Sequence, residues 1–242
     1  MTDRRGFLWA FAICLAAGLA CAGSCAAWGA SLTCPPSPGP FGSSALSPDG
    51  RHLICAVDAA VPGKYELYAV DGVRDPWRLS PGMADDRDVI RFAISPDSQR
   101  VAFTSDKGTW TKYDLYATPL IGGAAVKVNA SLPHEHDADT FIWSGDSARV
   151  IWRQGRNTTG DWALFSASPS GAGRTQLSQA GYTVDRVFTT VWGGQRVRFQ
   201  AEPLGGGQSQ VYVIPVAGGR IAEEMFQSSF ETGTFSGWIA VK

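Results

Sequence analysis

The feature that most constrains this chain is self-similarity at a period of 47 to 49 residues. Four apolar segments, Leu53 to Cys55, Val101 to Phe103, Val150 to Trp152 and Val197 to Phe199, begin 48, 49 and 47 residues apart. A second series, Tyr68, Tyr116, Phe165 and Tyr212, each preceded by Leu, Val or a like residue, repeats the same three spacings. Two strands holding one register through four copies is the signature of a repeat architecture, and this period is the length of one four-stranded propeller blade. The expected fold is all-β: a propeller of about four four-stranded antiparallel blades, open or incomplete as a ring, after an N-terminal signal segment.

The connections carry the turn chemistry that such blades need. Ser47, Pro48, Asp49, Gly50 in the first copy becomes Ser95, Pro96, Asp97, Ser98 and then Ser144, Gly145, Asp146, Ser147. Pro presets φ, the Asp side chain caps the turn, and Gly tolerates positive φ, so each reads as a tight hairpin. In the fourth copy the motif has decayed to Val191, Trp192, Gly193, Gly194. The 28 glycines and 14 prolines fall between short apolar runs, and no amphipathic helix is expected after residue 30.

Ser-Pro-Asp-Gly, the following apolar strand, then Tyr65 to Gly72 (Tyr-Glu-Leu-Tyr-Ala-Val-Asp-Gly) and Trp77 to Ser80 resemble the TolB-like propeller repeat. The resemblance covers about residues 41 to 226 and implies a periplasmic location and protein partners. Similar blades also form the gating domain of prolyl-oligopeptidase-type enzymes, so the motif speaks to fold more than to function. Blades are expected over 41–80, 89–128, 138–177 and 184–226. Trp238 falls in step with Leu46, Ile94, Trp143 and Thr190, which places an extra strand over 234–241. That strand either closes the ring or starts an unfinished blade, and an open edge would invite self-association.

Before the repeats, residues 1–30 read as an export signal. Arg4 and Arg5 precede Gly6, Phe7 and Leu8, and residues 7 to 30 carry no charge. Twin-arginine and general secretory routes both suit this segment, and an uncleaved membrane anchor is long enough. A lipoprotein would acylate Cys21 or Cys25, both of which lack the large aliphatic residue three positions upstream. Cleavage leaves Cys34, in a Pro-rich lead-in over 31–40, and Cys55; in an oxidising compartment these are a disulfide candidate, the alternative being a buried free Cys55.

Charge narrows the function classes. A formal net charge of -1 argues against nucleic acid, whose affinity rests on Lys and Arg contacts to phosphate. The loops between successive blades are acidic: Asp85, Asp86 and Asp88 in one, His134, Glu135, His136 and Asp137 in the next. Together with Trp110, in a loop of the second blade, they form the expected partner-binding face for an envelope protein or peptide. Ordinary solvated loop charge is the alternative. His134 and His136 suggest a metal-dependent enzyme or lyase as a rival reading, but their spacing matches no established metal motif. With no Gly-x-Ser-x-Gly elbow and no phosphate-binding Gly loop, the expectation is a non-catalytic binding scaffold without cofactor or metal, tethered to the membrane if the N-terminus is retained. A truncated propeller with no independent function is the remaining alternative.

Overall fold

The computed structural model describes residues 32–37, 42–80, 88–106, 113–132, 136–156, 159–219 and 222–223. These form sixteen strands in four antiparallel sheets. Blade 1 holds β1 (Ser43–Leu46), β2 (Leu53–Val57), β3 (Glu66–Val70) and β4 (Trp77–Arg78). Blade 2 holds β5 (Val89–Ile94), β6 (Arg100–Asp106), β7 (Tyr113–Pro119) and β8 (Val126–Lys127). Blade 3 holds β9 (His136–Trp143), β10 (Val150–Arg156), β11 (Ala163–Ala167) and β12 (Thr175–Gln176). Blade 4 holds β13 (Tyr182–Val191), β14 (Arg196–Pro203), β15 (Gln210–Pro215) and β16 (Ala222–Glu223). The strand order in each sheet is sequential, and the innermost strands β9 and β13 start ahead of residues 138 and 184. The signal segment and the 234–241 strand expected from the sequence lie outside the described residues.

Each Ser-Pro-Asp turn closes as its composition dictates. Gly50, Ser98 and Ser147 donate their backbone N–H to Ser47, Ser95 and Ser144 carbonyls at 2.8, 2.9 and 3.0 Å. The Asp carboxylate accepts from the first Ser hydroxyl, at 2.6 Å for both Asp49 and Asp146. Ser98 and Ser147 hold φ near +58° and +59°, a conformation that costs a residue with a Cβ. The return is a link between blades: the Ser98 hydroxyl accepts the Asp49 N–H at 3.0 Å, and the Ser147 hydroxyl accepts the Asp97 N–H at 2.9 Å. The same position in blade 1 is Gly50, which has open space around it.

The apolar core is divided among the contacts between consecutive blades. One cluster joins Ile54 and Leu67 to Val89, Val101 and Phe103; the next joins Ala102 and Leu115 to Phe141 and Trp152; the third joins Ile151 and Leu164 to Val184 and Phe199. Stacked pairs Phe103–Tyr116, Trp152–Phe165 and Phe199–Tyr212, with centroids 5.5 to 5.8 Å apart, fill the rear side of blades 2, 3 and 4. Trp152 is fully buried and Trp143 nearly so.

The two outer faces are built differently. In blade 1 the aromatic position is taken by Cys55, which is joined in a disulfide to Cys34, and Leu32 and Cys34 pack with Cys55, Val57 and Val70. The lead-in therefore covers the face that a preceding blade covers elsewhere. In blade 4, the position of the fully buried Ile54, Ala102 and Ile151 is Arg198, and Arg198, Gln200 and Glu202 alternate on β14 as exposed residues. Such alternation marks a sheet with one solvated face. No strand of blade 4 pairs with blade 1 among the described residues, and no core cluster joins them. Among the described residues the propeller is unclosed.

Candidate functional site

The innermost strands β1, β5 and β9 share a register, and this register builds a site. A β-bulge sits at the same point in blades 2, 3 and 4. On β5, Val89 pairs Ser105 and Arg91 pairs Thr104, leaving Ile90 extra. On β9, Ala138 pairs Gln154 and Thr140 pairs Arg153, leaving Asp139 extra. On β13 the slip falls between Val184 and Phe188. Bulges bend a strand and re-aim side chains, and they gather beside functional sites.

Facing the axis between β1, β5 and β9 is an open cavity of about 450 Å³. Its walls come in layers related by the repeat: Ser43, Arg91 and Thr140, then Ser44, Phe92 and Phe141, with the bulged Ile90 alongside. Ile90 and Arg91 are consecutive and both exposed, a consequence of the bulge. Arg91 is the one ionised side chain of the lining, and it has no hydrogen-bond or ion-pair partner among the described residues. The Thr140 hydroxyl is buried and also without a partner.

The next bulge carries an ion network instead. Asp139 Oδ2 accepts from Arg153 Nη1 at 2.8 Å and from Arg186 Nε at 3.2 Å. Arg153 also donates to the Val184 carbonyl at 2.8 Å and lies over the Trp162 ring. Burial pulls the Arg153 guanidinium below its ordinary value, with Asp139 opposing that shift. This network ties blade 3 to blade 4 and leaves neither arginine free.

Of the residues expected at the binding face, Asp88, His136 and Asp137 are among those described. Asp88 Oδ1 accepts the Tyr65 N–H at 2.7 Å, and Asp137 Oδ1 accepts the Tyr113 N–H at 2.8 Å. Both carboxylates therefore fasten the start of one blade's third strand to the next blade; Thr183 takes the same part for Trp162. Asp137 is 2% exposed, so it is removed from any solvated rim. His136 Nε2 accepts from Arg156 Nε at 3.1 Å. Asp85, Asp86, Trp110, His134 and Glu135 lie outside the described residues. Among the described residues no three His, Cys, Asp or Glu side chains are grouped to hold a metal ion. The sequence reading missed Arg91; its signal was the column Ser43, Arg91, Thr140, Val187, in which a charge interrupts small or apolar neighbours.

No family model matches the chain, and no curated protein matches it. Solved structures do. A puromycin-hydrolyzing peptidase from Mycobacterium tuberculosis aligns over 78% of this chain and 29% of its own, at 18% identity and a TM-score of 0.52. Prolyl oligopeptidase B from Galerina marginata aligns over 76% and 30%, at 12% identity and 0.53. TolB from Acinetobacter baumannii aligns over 76% and 43%, at 16% identity and 0.46. The chain spans less than half the length of each of these three. At such identity the likeness to the two peptidases speaks to the fold alone, in keeping with the β-propeller blades described above.

Proposed function

We propose that this chain is an exported cell-envelope binding module, without catalytic activity, that takes a protein or peptide partner at the axial side of its blades. The observation that carries the reading is the cavity of about 450 Å³ formed by three innermost strands. That size suits ligand recognition, for which pockets run from about 300 to 1,000 Å³. Its lining offers hydroxyls, one guanidinium and apolar surface, with no general base among the nine lining residues. Among the described residues each of these strands also has one unpaired edge, to which an extended segment can add. Export rests on the charge-free stretch after Arg4 and Arg5.

The test is crosslinking in intact cells with the full chain, an Ile90→Glu variant that fills the cavity with charge, and a Val73→Glu control in an exposed turn of blade 1. A partner captured by wild type and control but lost with Ile90→Glu is the expected result. Capture unaffected by Ile90→Glu, or capture of nothing, overturns the reading.

A further inference from the structure

We propose that the axial cavity is a carboxylate-binding site, in which Arg91 pairs with a carboxylate of an extended peptide and the exposed Ile90 packs against the apolar residue beside it. The proposal rests on the functional reading above and specifies its ligand.

Three observations converge on Arg91. It lines the cavity, is exposed, and has no partner among the described residues, whereas several other arginines in the blades, though not Arg198, are engaged. Arg149 is fastened to Ser166 and Gly173, Arg153 and Arg186 share Asp139, and Arg78 pairs with Glu66. Second, the strand is bulged at Ile90, so two successive side chains reach the cavity where regular pleating would send one away. Third, the matching residues of the layer are Ser43 and Thr140, so no acid stands at the equivalent positions of the two neighbouring innermost strands. A guanidinium offers a planar pair of N–H groups that matches a carboxylate in a bidentate arrangement.

A phosphate suits the site less well. One lone cation among apolar walls balances a single negative charge, whereas a phosphate dianion calls for more than one. The exposed Ile90 beside Arg91 favours a ligand whose anion is attached to a hydrophobic group. Both a C-terminal carboxylate and a Glu side chain supply this chemistry.

The experiment is calorimetric titration of the full chain with three probes: N-acetyl-Phe-Ala-Leu as the free acid, the same peptide as its C-terminal amide, and N-acetyl-Phe-Ala-Leu-Glu amide. One or both acids should bind roughly tenfold or more tightly than the plain amide, the range expected for a hydrogen bond to a charged group. The better acid identifies the source of the carboxylate. Arg91→Gln should erase the difference, and Arg91→Lys should keep part of it. Equal binding of acid and amide, an acid preference that survives Arg91→Gln, competition by inorganic phosphate at lower concentration than peptide, or no binding of any probe overturns the proposal. If a cellular partner is crosslinked through Ile90 with equal yield in Arg91→Gln, the binding-module reading stands and the carboxylate assignment falls.

Discussion

The disulfide stands where a blade would stand, and removing it should cost more than a staple on an exposed loop. Cys34 and Cys55 are 21 residues apart, and closing a loop of that size restricts the unfolded chain by about 3 kcal/mol. Its loss also frees Leu32 and Cys34 to leave Val57 and Val70, which the lead-in helps to bury. For Cys34→Ala we therefore expect destabilisation of about 3 kcal/mol or somewhat more. In a domain of this size that corresponds to roughly 6–12 °C in melting temperature. Urea unfolding followed by tryptophan fluorescence, with and without reductant, measures it. Reduced wild type should match Cys34→Ala, and Cys34→Ala should ignore reductant. The uncovered face of blade 1 should then bind a hydrophobic dye and self-associate in sedimentation. A loss below about 1 kcal/mol with no change in dye binding refutes the idea that the lead-in substitutes for a blade.

Asp137→Ala should destabilise by about 1–3 kcal/mol, because the Tyr113 N–H loses its acceptor in a part-buried site, while Asp137→Asn, which keeps an acceptor oxygen, should cost less; chemical denaturation reads both. Asp146 is held below its ordinary 3.8 by the Ser144 hydroxyl and the Ala148 N–H, and Asp97 is lowered too: burial opposes the shift, but the Ser95 hydroxyl and Gln99 N–H outweigh it. Depressed carboxylates contribute stability that is fully present above the unfolded value and is lost as pH falls through the folded one. Stability should thus decline below about pH 4, with a shallower decline in Asp97→Asn/Asp146→Asn; identical acid profiles would count against it. Arg198→Ile restores to blade 4 the residue type that the equivalent positions of blades 1 and 3 bury, and should produce stronger concentration-dependent association than wild type by light scattering; equal scattering would count against it.

The four-copy register was legible because strands and tight turns are local: alternating apolar residues and Ser-Pro-Asp need only their neighbours to be understood. The bulges were not legible. They arise where two strands of unequal length must pair, so Ile90 and Asp139 become extra residues only against their particular partners on β6 and β10. The part played by Asp88 and Asp137 was not legible for a related reason. Counting Asp88 and Asp137 as surface charge ignored the backbone N–H groups that the next blade's approach leaves to be satisfied. Their spacing of 49 residues, that of the repeat itself, was the available clue.

Read down columns instead of along the chain, the repeat separates three kinds of residue by where a column breaks. A column that keeps its chemistry through all copies reports packing, as Leu67, Leu115, Leu164 and Val211 do. Breaks at an end report an end: Cys55 and Gly50 replace the aromatic and the serine that face a preceding blade, and Arg198 replaces the aliphatic residue that faces a following one. Neither explanation serves for a break in the middle. Arg91 sits between Ser43 and Thr140 in an interior blade, where neighbours on both sides are complete and where nothing in the packing requires a charge. An unpaired guanidinium makes no contact that holds the fold in such a position, and the carboxylate proposal gives it one in the ligand.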